Sequence, residues 1–172
     1  GDESGNECTF RNGNPIEDPT SLINRAISDG AQIISISSSD ENFDDATKWA
    51  IARANARGVI VVSPMGNDAK DETNNGYSKW SGVVGVGAID TTGKVASYSS
   101  WGQGTTVAAV GGPVVLHNYE SGNKGFTDGT SNSVPLVAGF LALAKQKWPN
   151  ATSNQLLQLL TKTARTDQNG WN

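Results

Sequence analysis

Asp128-Gly129-Thr130-Ser131-Asn132-Ser133-Val134-Pro135-Leu136-Val137-Ala138-Gly139 is a polar, glycine-containing turn that runs straight into an apolar segment. The apolar periodicity that follows, through Val134, Val137, Ala138, Leu141 and Leu143, predicts a helix from Ser131 to Trp148, stopped by Pro149. Apolar residues on most of its sides predict a buried helix. Pro135 is expected near the helix start, where a missing N–H costs little. Ser131 sits where the first-turn N–H groups have no intrahelical acceptor and favour developing negative charge. Two readings of that serine fit the pattern: a cap on a buried helix, or a nucleophile held at its mouth.

Outward from this stretch, short apolar runs alternate with helical ones. Upstream, Pro19–Asp29 reads as a short helix, with Leu22, Ile23, Ala26 and Ile27 on one face. Gln32–Ser37 follows as a buried strand. Asp44–Arg57 is helical, with Ala46, Trp49, Ala50 and Ala54 sharing a face, and Val59–Val62 is the next strand. Val83–Ile89, Thr106–Val110 and Val114–Leu116 are further strands, and a turn at Asp90–Gly93 leads into Val95–Ser99. Downstream, Thr152-Ser153-Asn154-Gln155 has the spacing of a capping box that opens a last helix to about Ala164, cored by Leu156, Leu157, Leu159 and Leu160. Strands alternating with helices predict an α/β fold, a doubly wound and mostly parallel sheet with helices on both faces. Such sheets carry their sites at the carboxyl ends of the strands, which points to Ser37–Asp40 and Ser63–Asn67. Neither a repeat nor a linker divides the chain, so residues 19–172 read as one domain, with 1–18 as a polar loop.

Gly129-Thr130-Ser131-x-x-x-Pro135-x-Val137-Ala138-Gly139 resembles the nucleophile signature of the subtilisin-like serine protease family. Other pieces match in the family's order. Ala31–Ser37 resembles its substrate-pairing strand, and Ala56–Val62 ending in Gly66-Asn67 resembles the strand to its oxyanion-hole asparagine. Gly82–Ala88 through Ala96–Gly102 resembles the segment VIxVGA…AxFSxxG. Val107–Gly111 resembles VxAPG, and Pro149–Ala164 resembles its penultimate helix. The resemblance implies the C-terminal portion of a peptidase domain with the N-terminal strands missing. It implies Ser131 as nucleophile and Asn67 as oxyanion donor. It also implies that Ser37, Ser38 and Ser39 pair with a peptide or protein substrate, and that Ser63, Pro64 and Met65 wall a pocket that the bulk of Met65 narrows. Calcium, held by loop oxygens such as Asp40, Asp44 and Asp45, is a family expectation that acidic helix starts explain equally well. No other cofactor is expected. Secretion is likewise a family expectation.

The family's order of catalytic residues is Asp, then His, then Ser, and neither an Asp-bearing strand nor a His-Gly-Thr-His-like run precedes residue 20. The single histidine, His117, comes too late in that order and reads as a surface residue. The chain alone is therefore expected to be inactive on peptide bonds. Its expected partner is an N-terminal segment of the same protein that supplies Asp and His and covers the apolar edge of the Ile33–Ser37 strand. A non-catalytic subtilisin-like domain for peptide binding or structure is the alternative. A serine–lysine hydrolase built on Ser121-x-x-Lys124 is disfavoured, because that run lies in a Gly/Asn-rich loop. A net charge of −4 with scattered basic residues argues against nucleic acid as a partner. No apolar run is long enough to span a bilayer. Cys8 is the one cysteine, so it is either a free thiol or paired with a residue outside these 172. Asn150-Ala151-Thr152 is a sequon in a glycosylating host.

Overall fold

The computed structural model describes residues 18–38, 44–117, 122 and 124–166. Cys8, Ser39 and Asp40 lie outside them.

Two helices cover one face of the sheet. α1 (Pro19–Ser28) starts with proline at its first position and is capped by Asp18, whose carboxylate accepts from the Ser21 N–H. α2 (Asp45–Ala56) is capped in the same way, by Asp44 accepting from the Thr47 N–H at 2.8 Å. Ile23 and Ile27 of α1 meet Ala50, Ile51 and Ala54 of α2 in a core completed by Val59, Val61, Tyr77 and Val83. Trp49 does not share that face. It is 60% exposed, because Thr47, Ala50, Ile51 and Ala54 set the buried stripe. Leu22 also points largely to solvent.

Four strands form a parallel sheet in sequence order: β1 (Ile33–Ser35), β2 (Ile60–Pro64), β3 (Val83–Ile89) and β4 (Thr105–Val110). The register pairs Ile33 with Ile60, Val62 with Val84 and Val86 with Val107, with an irregularity at Gly85/Val86. Strand side chains alternate between faces. Val59 and Val61 therefore enter the α1/α2 core, while Ile60 and Val62 enter the opposite one. Burial on both faces explains why β2 and β3 read as unbroken apolar runs.

The second core belongs to α3 (Thr130–Lys147) and α4 (Ser153–Thr163). Val134, Val137, Leu141 and Ala144 of α3 pack on Ile60, Val62, Val84, Val86 and Val107, with Leu156 and Leu160 of α4 behind them. Burying Leu141 completely contributes about 1.5–3 kcal/mol. The capping box is made in both directions: the Thr152 hydroxyl accepts from the Gln155 N–H, and the Gln155 side chain accepts from the Thr152 N–H. The Lys145 ammonium closes the turn before it by donating to the Ala151 carbonyl at 2.7 Å.

The structure corrects two sequence expectations about α3. α3 is buried on one face only, since Leu136, Phe140 and Leu143 are 53%, 40% and 68% exposed. The helix packs the sheet with a single stripe, and none of the described residues covers its outer side. Pro135 lies inside α3 rather than in its first turn, so its ring nitrogen cannot bond the Ser131 carbonyl one turn back. Past the turn at Asp90–Gly93, Val95 makes a single antiparallel bridge back to Ile89. An additional strand pair, β5 (Val114–His117) with β6 (Lys124–Thr127), forms an antiparallel hairpin apart from the main sheet.

Candidate active site

Parallel strands end together, so Ser35, Pro64, Ile89 and Val110 bring four chain exits to one side of the sheet. The turn 128–131 arrives at the same side. The Gly129 N–H donates to the Gly111 carbonyl, one residue past β4, at 2.9 Å. Gly129 has φ 155°, a backbone conformation that side chains disfavour. From it α3 starts at Thr130, which places Ser131 in the first turn, half-buried. Two side chains anchor that turn to the sheet. The Asn132 amide donates to Gly111 O at 3.0 Å, and the Ser133 hydroxyl donates to Ala109 O at 2.9 Å.

Asn67 reaches the turn from the loop after β2. The segment Gly66–Glu72 lies alongside Tyr98–Trp101. Ser100 N donates to Gly66 O at 3.0 Å, Ala69 N to Tyr98 O at 3.0 Å, Trp101 N to Lys70 O at 3.1 Å and Glu72 N to Trp101 O at 2.7 Å. From this braced loop the Asn67 side-chain oxygen accepts two bonds from one residue, the Thr130 N–H at 2.8 Å and the Thr130 hydroxyl at 2.9 Å. A backbone N–H can only donate, so the carboxamide is oriented with oxygen toward Thr130. Its NH₂ faces the other way. The Thr130 hydroxyl in turn accepts from the Gly66 N–H at 3.3 Å. A Cβ placed on Gly129 would lie 3.1 Å from Ser131 Oγ and 3.4 Å from Asn67 Nδ2, which caps the separation of those two atoms at about 6.5 Å, the sum of the two distances.

Chemically, this sets a hydroxyl at a helix N-terminus close to a carboxamide NH₂ whose oxygen is already held. The Ser131 N–H belongs to the first turn, where helix N–H groups have no partner within the helix. Asn67 is exposed and Ser131 half-buried, so solvent reaches both. Beside them, Lys70 pairs with Glu72 at 3.2 Å and Asp68 at 3.4 Å. Its ammonium is held above the usual lysine value, chiefly by the bond to Glu72.

The remaining expected site residues divide into two groups. Ser37 and Ser38 are exposed just past β1, at the open edge of the sheet. Ser63, Pro64 and Met65 are buried, and the Met65 sulfur packs over Gly85 where a side chain would otherwise sit. His117 ends β5, opposite Lys124 in the hairpin register. Asp44 spends its carboxylate on the α2 cap, and among the described residues no three His, Cys, Asp or Glu side chains group as metal ligands. Thr130 went unrecognised in the sequence, although its place beside Ser131 in the quoted motif was the available signal.

Comparison with known proteins gives a consistent answer. A family model described as the subtilase family matches residues 11–172. The chain is 34% identical over 140 residues to a thermostable alkaline protease of Halalkalibacterium halodurans, covering 81% of this chain and 38% of that protein. It is 34% identical over 142 residues to subtilisin DY of Bacillus licheniformis, covering 81% and 52% respectively. A protease structure from Pseudoalteromonas arctica superposes with a TM-score of 0.72 at 33% identity, over 81% of this chain and 46% of that one. In fold alone, a cold adapted subtilisin-like serine proteinase matches with a TM-score of 0.78 at 24% identity, over 87% and 55%. The chain thus spans about half, or less, of the length of the proteins it matches. With the fold, the order of its motifs and these matches in agreement, the chain belongs to the subtilase family of serine proteases.

Proposed function

We propose that this chain carries the nucleophile half of a serine endopeptidase. Ser131 Oγ attacks the scissile carbonyl carbon, the carbonyl electrons move to oxygen, and the Asn67 NH₂ and the Ser131 N–H receive that oxyanion. Collapse expels the leaving amine and leaves an acyl-enzyme that water then hydrolyses. The observation that carries the reading is the fixed carboxamide: Asn67 is oriented by Thr130, the residue next to the nucleophile, so donor and nucleophile move together. The peptide would pair with the chain at Ser37, Ser38 and Ser39 by strand addition, with Ser63, Pro64 and Met65 shaping a pocket from behind.

The Ser131 proton needs a base, and the one histidine lies on the separate hairpin. We assign the Asp and His to an N-terminal segment of the same protein and expect these 172 residues to be inactive without it. The open edge of β1, the exposed stripe Leu136–Phe140–Leu143 and the clefts beside Ile34 and Ile33, about 340 and 470 Å³, are the features such a segment would cover. Action outside the cell follows from the same family reading.

The test compares hydrolysis of a peptide substrate by the 172-residue chain and by the product of the whole gene, each with and without Ser131→Ala. Activity in the whole product that Ser131→Ala abolishes is the expected result. Activity of the whole product that survives Ser131→Ala sinks the reading. Serine-dependent activity of the chain alone sinks the assignment of the base to another segment.

A further inference from the structure

Tyr98 stands where the family pattern AxFSxxG has phenylalanine. The added hydroxyl lands on the nucleophile turn. It accepts a bond from the Gly129 N–H at 3.1 Å, so that N–H is shared between Tyr98 Oη and Gly111 O, the latter at 2.9 Å. Space for the hydroxyl exists only because residue 111 is glycine. A Cβ there would lie 2.7 Å from Tyr98 Oη and 2.5 Å from the Ala88 Cβ. The tyrosine also comes from the stretch that braces the Asn67 loop, since Tyr98 O accepts from Ala69 N and Ser100 N donates to Gly66 O. One residue thus touches both supports of the site, the loop that presents the carboxamide and the turn that presents the serine.

We propose that Tyr98 is a positioning residue for acyl transfer: through the Gly129 N–H its hydroxyl fixes the turn that sets Ser131 against Asn67. This rests on the acyl-transfer reading above. Gly129 lies two residues before the nucleophile, at φ 155°, where backbone motion would swing Ser131 Oγ relative to the carboxamide. Asn132 and Ser133 pin the turn from the helix side, through Gly111 O and Ala109 O. Tyr98 pins it from the entry side. The tyrosine is half-buried, and burial pushes its phenol above the usual value, so the hydroxyl stays protonated through the working range of a serine protease.

Tyr98→Phe in the complete protease deletes the acceptor and keeps the ring, which the family pattern shows to be compatible with the fold. The expected loss is about 3- to 10-fold in kcat on a chromogenic peptide, the worth of one net hydrogen bond, with KM changed by less than about twofold. Affinity for a peptide boronate, which mimics the tetrahedral adduct, should fall by the same factor, and affinity for a product peptide should hold. Amide hydrogen exchange at Gly129 should quicken by a similar factor. Unchanged kcat, unchanged exchange at Gly129, or an equal loss of product affinity overturns the proposal. If Ser131→Ala leaves hydrolysis untouched, it is the acyl-transfer reading that falls, and the Gly129 exchange still decides whether Tyr98 holds the turn.

Discussion

Replacing Thr130 by valine isolates one hydroxyl at the centre of the site. Thr130 is fully buried and valine has nearly its shape, so no cavity opens. Two bonds disappear: the one given to Asn67 Oδ1 at 2.9 Å and the one taken from the Gly66 N–H at 3.3 Å. At about 0.5–1.5 kcal/mol net for each, the loss in stability is about 1–3 kcal/mol. In a chain of this size about 1 kcal/mol moves Tm by about 2–4 °C, so Tm should drop by roughly 2–12 °C. The effect on turnover is bounded from both sides. The Thr130 N–H still holds Asn67 at 2.8 Å, so the carboxamide is loosened and not released. Losing the donor altogether would cost about 2.7–4 kcal/mol, the figure for the oxyanion asparagine of a subtilisin itself and carried over from that enzyme. A fall of about 10-fold in kcat, with KM little changed, lies between these limits. The assay is steady-state hydrolysis by the complete protease beside calorimetric unfolding of the 172-residue chain, with Thr130→Ser as comparison. Serine restores the hydroxyl and should recover most of kcat. If valine and serine behave alike in both measurements, the hydroxyl does not orient Asn67 and the reasoning fails.

Gly111→Ala should destabilise by about 1–3 kcal/mol through overpacking against Ala88 and Tyr98, and Tyr98→Phe should relieve part of that cost; additive unfolding energies would show that the two residues do not compete for space. The Asp44 carboxyl is held below the usual carboxylate value by the Thr47 N–H and then by the Thr47 hydroxyl. Its contribution is therefore complete above the unfolded pKa and is lost as pH falls through the folded one. Tm measured from about pH 5 down to about pH 2 should fall less steeply in Asp44→Asn than in the parent, and an equal slope would remove Asp44 from the acid response. In the isolated chain Leu141→Ala should cost about 2–5 kcal/mol and Leu143→Ala less than about 0.5, since the first is fully buried and the second 68% exposed; similar costs in a denaturant titration would contradict the packing of α3.

Local chemistry was legible in the sequence wherever partners are close along the chain. The capping box at Thr152 and Gln155 spans three residues and formed as read. The strands at Ile60 and Val83 announced themselves as apolar runs because helices cover both faces of the sheet. β6 gave no such signal: Lys124-Gly125-Phe126-Thr127 has a glycine at its centre and is held by pairing with β5 instead of by a buried face. The supports of the site were invisible for a different reason. Thr130 to Asn67 spans 63 residues and Tyr98 to Gly129 spans 31, and nothing in either segment names its partner.

Periodicity also reports which side chains share a helix face without saying whether anything lies against it. In α3 the pattern through Val134, Val137 and Leu141 and the pattern through Leu136, Phe140 and Leu143 look equally apolar, yet the sheet meets only the first. A helix whose far side faced water throughout its life would gain nothing from leucine and phenylalanine there, since apolar area stabilises only when it leaves water. β1 repeats the situation in backbone form. Ile34 and its neighbours bond to β2 on one side, while the other edge offers N–H and C=O groups that, among the described residues, no strand takes up. Of these two surfaces, the strand edge leads to the carboxyl end of β1, beyond which Ser37 and Ser38 are exposed. A segment that buried both surfaces would satisfy the edge and dry the stripe, and on the proposed reading it would also carry the base for Ser131.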